Sequence, residues 1–153
     1  MSELRHYADD LKRAWAGRSW QGPALRELLK DVTAAQAARR PIAEAHSIWE
    51  LVLHIAAWHG VVRTRMQGKK ERLSPGRNFP RVLEPNAAAW NRAKLALRES
   101  SEETAEAILR FSPAKLSRTV PGKTYNYRHM LSGVSQHDAY HAGQIALLKK
   151  ALG

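Results

Sequence analysis

The chain has 153 residues, 44% of them hydrophobic and 25% charged, the profile of one ordinary globular domain spanning 1–153. It has no cysteine, which excludes disulfides, thiolate metal sites, iron–sulfur clusters and a cysteine nucleophile; any metal must be held by His, Asp, Glu or backbone oxygen. The net charge of +11 favours acidic partners, but seven Lys/Arg against a single Glu fall between Val61 and Arg81, so over half of the excess sits in one stretch.

A single basic connector of this kind reads as a solvated loop before it reads as a nucleic-acid surface, and no further recognition element supports nucleic-acid binding. No apolar run approaches the roughly 18 residues needed to span a membrane. The opening residues Met1 to His6 carry no apolar signal region, so the cytoplasm is the expected location.

In chain order, the spacing predicts a first helix over Leu4 to Trp15, with Leu4, Tyr7, Ala8, Leu11 and Trp15 on one face. Gly17 and the Gly22-Pro23 pair interrupt it. A short helix follows over Ala24 to Val32, then an Ala-rich helical turn over Thr33 to Arg40, closed by Pro41. The next start is sharper. Ser47 and Glu50 form a capping box ahead of the stripe Ile48, Leu51, Val52, Ile55, Trp58, Val62, Met66, and Gly68 ends it. Lys69 to Asn86 is a long connector with prolines at 75, 80 and 85, the kind of length a crossover along a bundle requires. Pro85 suits the start of a third principal helix with Trp90, Ala93, Leu97 and Ile108 inward. Ser100-Ser101-Glu102-Glu103 resembles a second capping box, which predicts a break or kink near Ser100. Asn126 suits the cap of a last helix over Tyr127 to Leu152. No strand pattern, repeat or low-complexity tract is present, and four principal helices with long connections make an all-α four-helix bundle.

The last helix carries the chemistry. Its stripe is Tyr127, Met130, Leu131, Val134, His137, His141, Ile145, Leu148, Leu152. Imidazoles at i and i+4 are neighbours about 6 Å apart on one face and can reach one metal ion. A lone histidine on an apolar face is usually a core residue with satisfied nitrogens, and His6, His46, His59 and His129 are read that way. A buried pair is harder to satisfy, since an unmet imidazole nitrogen costs about 1–3 kcal/mol. His54, bordering the buried face of its own helix, is the candidate third ligand. Three imidazoles suit Zn²⁺, Ni²⁺, Cu²⁺ or Fe²⁺, and three protein ligands with an open position is the catalytic pattern. Such a site can acidify water toward a pKa of about 7 or hold a thiolate substrate. Gln144, one turn after His141, can hydrogen-bond a ligand ring or bound water. Glu50, one turn before His54, can orient it or act as a base, although completing its capping box is the simpler role. Asp138 points some 100° from His137 and is expected in a salt bridge. Tyr140 is read similarly, and Trp49, Trp58 and Trp90 are expected in the core.

These residues carry a family resemblance. Ser47-Ile48-Trp49-Glu50-Leu51-Val52-Leu53-His54-Ile55-Ala56-Ala57-Trp58 resembles the second helix of the DinB-like (damage-inducible) superfamily. His137-Asp138-Ala139-Tyr140-His141-Ala142-Gly143-Gln144-Ile145 resembles its last, and Trp20-Gln21-Gly22-Pro23-Ala24-Leu25 also fits. The resemblance implies a bundle with an up-down-down-up course and a homodimer. It implies a divalent metal, nickel or zinc, held by His54, His137 and His141. Relatives with known activity are thiol-dependent transferases or isomerases using low-molecular-weight thiols, and others are called metal-dependent hydrolases, so a small-molecule substrate is expected. The rival readings are a non-catalytic stress-response or binding protein in which the histidines only support the fold, and a basic nucleic-acid binder using residues 61–81.

Overall fold

The structure, a computed structural model, describes residues 2–153. Among these residues it is all-α, with no β-strand beyond an isolated Thr119–Asn126 bridge, and no helix is long and apolar enough to cross a membrane. Seven α-helices follow in order: α1 (Glu3–Ala16), α2 (Leu25–Leu29), α3 (Ala34–Ala38), α4 (Ile48–Met66), α5 (Pro75–Asn78), α6 (Ala87–Arg110) and α7 (Tyr127–Leu152). Of the four long ones, α1 and α4 each pack against both α6 and α7.

Local sequence explains where these helices begin. Ser47 Oγ accepts the Glu50 N–H, and Glu50 Oε2 accepts the Ser47 N–H at 2.7 Å, closing the expected capping box. Asn86 and Asn126 cap α6 and α7 by accepting the N–H of Ala89 and His129, each at 2.9 Å. Two short helices fall inside their expected ranges but are smaller, at five residues each.

Three expectations need correction. The break near Ser100 does not occur: α6 runs unbroken through it. Ser100, Ser101 and Thr104 are buried, and Arg63 Nη1 of α4 donates to Ser100 O, Ser100 Oγ and Thr104 Oγ1. Satisfied by a neighbouring helix, the Ser100 hydroxyl has no reason to cap a new one. The connector is not only a crossover, because α5 forms within it and reaches the histidines. The basic stretch is not uniformly solvated either: Arg63 and Arg65 belong to α4, Arg65 is buried, and Arg77 pairs with Glu71.

The apolar core is in two parts. One gathers Trp49, Val52 and Ile55 of α4, Trp90 and Leu97 of α6, and Ile145 and Leu148 of α7 around α2 and α3. The other gathers Leu4, Ala8 and Leu11 of α1, Ile108 of α6, and Tyr127, Leu131 and Val134 of α7. On α4, α6 and α7 polar residues fall between the two parts: His59 on α4, Ser100, Ser101 and Thr104 on α6, His137 and Asp138 on α7. This polar waist, flanked by two dry cores, is where the histidines meet.

Candidate metal centre

His54 comes from α4; His137 and His141 come from α7, one turn apart. A nitrogen from each lies within 4.8 Å of one from the others. The ring centroids of His137 and His141 are 4.4 Å apart, and His54 lies 5.2 and 4.7 Å from them. His54 and His141 are buried and His137 is half-buried.

Neighbours fix how each ring presents itself. His54 Nδ1–H donates to the Asn78 carbonyl at 2.8 Å, which leaves Nε2 with a free lone pair. His141 Nδ1–H donates to Gln144 Oε1 at 2.6 Å, with the same result. His141 Nε2 then faces His137 Nε2 at 3.1 Å. A tetrahedral ion with metal–nitrogen bonds of about 2.0–2.1 Å places its ligand nitrogens about 3.3 Å apart, so this approach matches two imidazoles sharing one cation. Burial, opposed by the Asn78 hydrogen bond, pushes the His54 pKa down to about 4. Burial also lowers that of His141, against the pull of Gln144. Both rings are therefore neutral at pH 7, the form a metal requires. The three imidazoles could hold a divalent transition-metal ion.

The connector holds this arrangement in place. Phe79 stacks on His54 with centroids 4.1 Å apart, and on its other face meets His46 at 3.6 Å. Asn78 accepts from two residues of α4 at once: its carbonyl from His54 and its Oδ1 from Trp58 Nε1–H at 2.8 Å. Sequence reasoning missed Asn78 and Phe79, and no signal in the proline-punctuated connector marks them.

The remaining candidates are placed as follows. Glu50 is turned away from the rings; its carboxylate binds the Ser47 N–H and Arg40. Burial alone would raise its pKa, and those partners hold it below the ordinary value. Gln144 lies against His141 as expected. Trp49 and Trp90 are buried, whereas Trp58 is half-buried and forms a wall beside His137, its ring centroid 6.0 Å from that imidazole. His6 and His129 are surface residues, not core ones, and Tyr140 is 66% exposed. Asp138 does form the expected ion-pair contact, but in the deepest part of the waist: it is 0% exposed and accepts His59 Nε2–H at 2.9 and 3.0 Å. The sequence did carry a signal for it, since Leu131, Val134, Asp138, His141 and Ile145 are spaced by three and four residues and share one buried stripe.

Replacing Gln144 by Leu is expected to weaken metal affinity about 10- to 100-fold, because the Nδ1–H of His141 loses its acceptor. Competition against a calibrated chelator measures this, and an unchanged affinity would remove Gln144 from the site.

These features define an all-helical protein in which three histidines come together and could hold a metal ion. The chain belongs to the DinB superfamily, whose sequence profile matches residues 19–145, a span containing all three histidines. Neither the curated proteins nor the solved structures gave a match to it.

Proposed function

We propose that this chain is a metal-dependent enzyme in which His54, His137 and His141 hold one zinc or nickel ion. The observation that carries the proposal is the convergence of three imidazole nitrogens within 4.8 Å, two of them with tautomers set by a backbone carbonyl and an amide oxygen. With three imidazole ligands and no carboxylate, a bound ion would keep its full positive charge and would supply a Lewis acid that acidifies a bound water or thiol. The protein's own contribution is to fix ring orientation through Asn78 and Gln144, and to keep His54 dry beneath Phe79. His137, the least buried of the three, faces a cavity from which a small molecule approaches.

The reaction class we assign is group transfer or isomerisation assisted by a low-molecular-weight thiol, with hydrolysis as the neighbouring chemistry. Family membership supports this reading. The same membership supports a four-helix bundle of up-down-down-up course, and we assign the chain to a homodimer in the cytoplasm. Nucleic acid is the weaker partner, because Arg63 and Arg65 in the basic stretch are turned into the protein and hydrogen-bond there.

A panel of thiol-transfer and ester-hydrolysis substrates tests the proposal. Turnover is expected with added Ni²⁺ or Zn²⁺ and is expected to vanish on chelation. A fully metal-loaded protein that is silent across the panel would contradict catalysis and favour a binding protein with a structural histidine site.

A further inference from the structure

A cavity of about 270 Å³ adjoins the histidine cluster at His137. That is just below the range of about 300–1,000 Å³ of drug-sized ligand sites, so its occupant is small. Trp58, Val62, Met130 and Val134 give it apolar walls.

Arg65 lines the same cavity and is its most unusual group. It is only 3% exposed, yet among the described residues no carboxylate lies within 4.0 Å of it. Glu71, the acid nearest in sequence, offers Arg65 only its backbone carbonyl, which accepts from Nε at 3.2 Å and Nη2 at 2.9 Å. The Glu71 carboxylate is turned to Arg77. Arg65 Nη1 donates to the Tyr125 hydroxyl at 2.9 Å. Three of the five guanidinium N–H groups are thus used, leaving one on each terminal nitrogen without a protein partner. The Tyr125 hydroxyl accepts that bond and, among the described residues, has no acceptor of its own, so its hydrogen is also available. His59, another lining residue, is 1% exposed and has an Nδ1 with no partner.

A buried cation without a counter-charge is costly, and a guanidinium presents paired donors at the spacing of two carboxylate oxygens. We propose that this cavity binds a small organic acid. Its carboxylate is held by Arg65 and the Tyr125 hydroxyl, its apolar skeleton lies against Trp58, Val62, Met130 and Val134, and its other end is at His137. Binding stands on the cavity alone; the acid's role as a substrate rests on the three-histidine reading.

Calorimetric titration of chelator-treated protein with 3-phenylpropionate and with 3-phenylpropan-1-ol tests this, the two probes differing in the carboxylate alone. The acid is expected to bind at least about tenfold more tightly than the alcohol. Tyr125→Phe is expected to weaken the acid about three- to tenfold and leave the alcohol unchanged, and Arg65→Met to bring the two to parity. Gly133 lines the cavity and has open space around a built Cβ. Gly133→Leu is therefore expected to block both probes without lowering the melting temperature, since leucine is the better helix former. If Arg65→Met does not fold, the wild-type ratio and the Tyr125 variant decide. Equal affinity for acid and alcohol, no binding of the acid, or binding that disappears with the metal would each overturn the proposal. Metal uptake measured on the same samples separates the two readings: retained acid preference in a chain that takes up no metal would sink the metal centre and leave the acid site standing.

Discussion

Asp138→Ala is expected to lower the unfolding free energy by about 1–3 kcal/mol, the range for leaving a buried hydrogen-bonding group without its partner. Asp138 is fully enclosed and receives both of its short contacts from His59 Nε2. His59 is itself 1% exposed, and its Nδ1 is already without a partner. Removing the carboxylate strands the second ring nitrogen as well, far from water. The Asp138 carboxyl also lies 4.0 Å from His137 Nδ1, so its loss removes a carboxylate beside that imidazole. Burial would raise the Asp138 pKa; the His59 and His137 rings beside it outweigh this and bring it below the ordinary value. A carboxyl with a lowered folded-state pKa binds fewer protons folded than unfolded. Its stabilisation is therefore fully present above pH of about 4 and is lost as pH falls through the lowered value. Urea denaturation of the variant near neutral pH measures the cost. A loss below 1 kcal/mol, estimated as the surface-pair scale, would mean that the pair is not closed to solvent.

The second large effect is on the metal itself. At a free metal concentration about one hundred times Kd, zinc or nickel is expected to stabilise the wild-type chain by about 2.7 kcal/mol. In His54→Ala that increment is expected to vanish over the same concentrations. His54 is the only one of the three carried by α4, so its removal leaves both remaining histidines on α7 and none on α4. Thermal melts with and without metal give the increment directly. An equal increment in the variant would mean that the ion binds elsewhere.

Much of the site was legible because it is written in helical periodicity. The i, i+4 pair on α7 and the Ser47–Glu50 capping box fix which faces of two helices turn inward, and the histidines follow from those faces. What the sequence hid depends on contacts between elements. Asp138 was correctly placed about 100° from His137, but that direction leads into the waist because α7 is packed by both α1 and α4. Its partner, His59, lies 79 residues away. The false capping box at Ser100 has the same cause: the pattern is local, and the Arg63 side chain that satisfies it belongs to another helix. Asn78 and Phe79 sit in a stretch whose prolines mark only turns. Their role arises from where the connector crosses α4. Arg65 looked like one more charge in a basic run, and only its burial without a carboxylate sets it apart.

Elemental analysis of the purified wild-type chain beside the His54→Ala/His137→Ala/His141→Ala variant tests the shared site most directly. About one divalent ion per wild-type chain is expected, the content of a site with three histidine ligands, and essentially none in a variant whose circular dichroism remains helical. The same metal content in both proteins would contradict it.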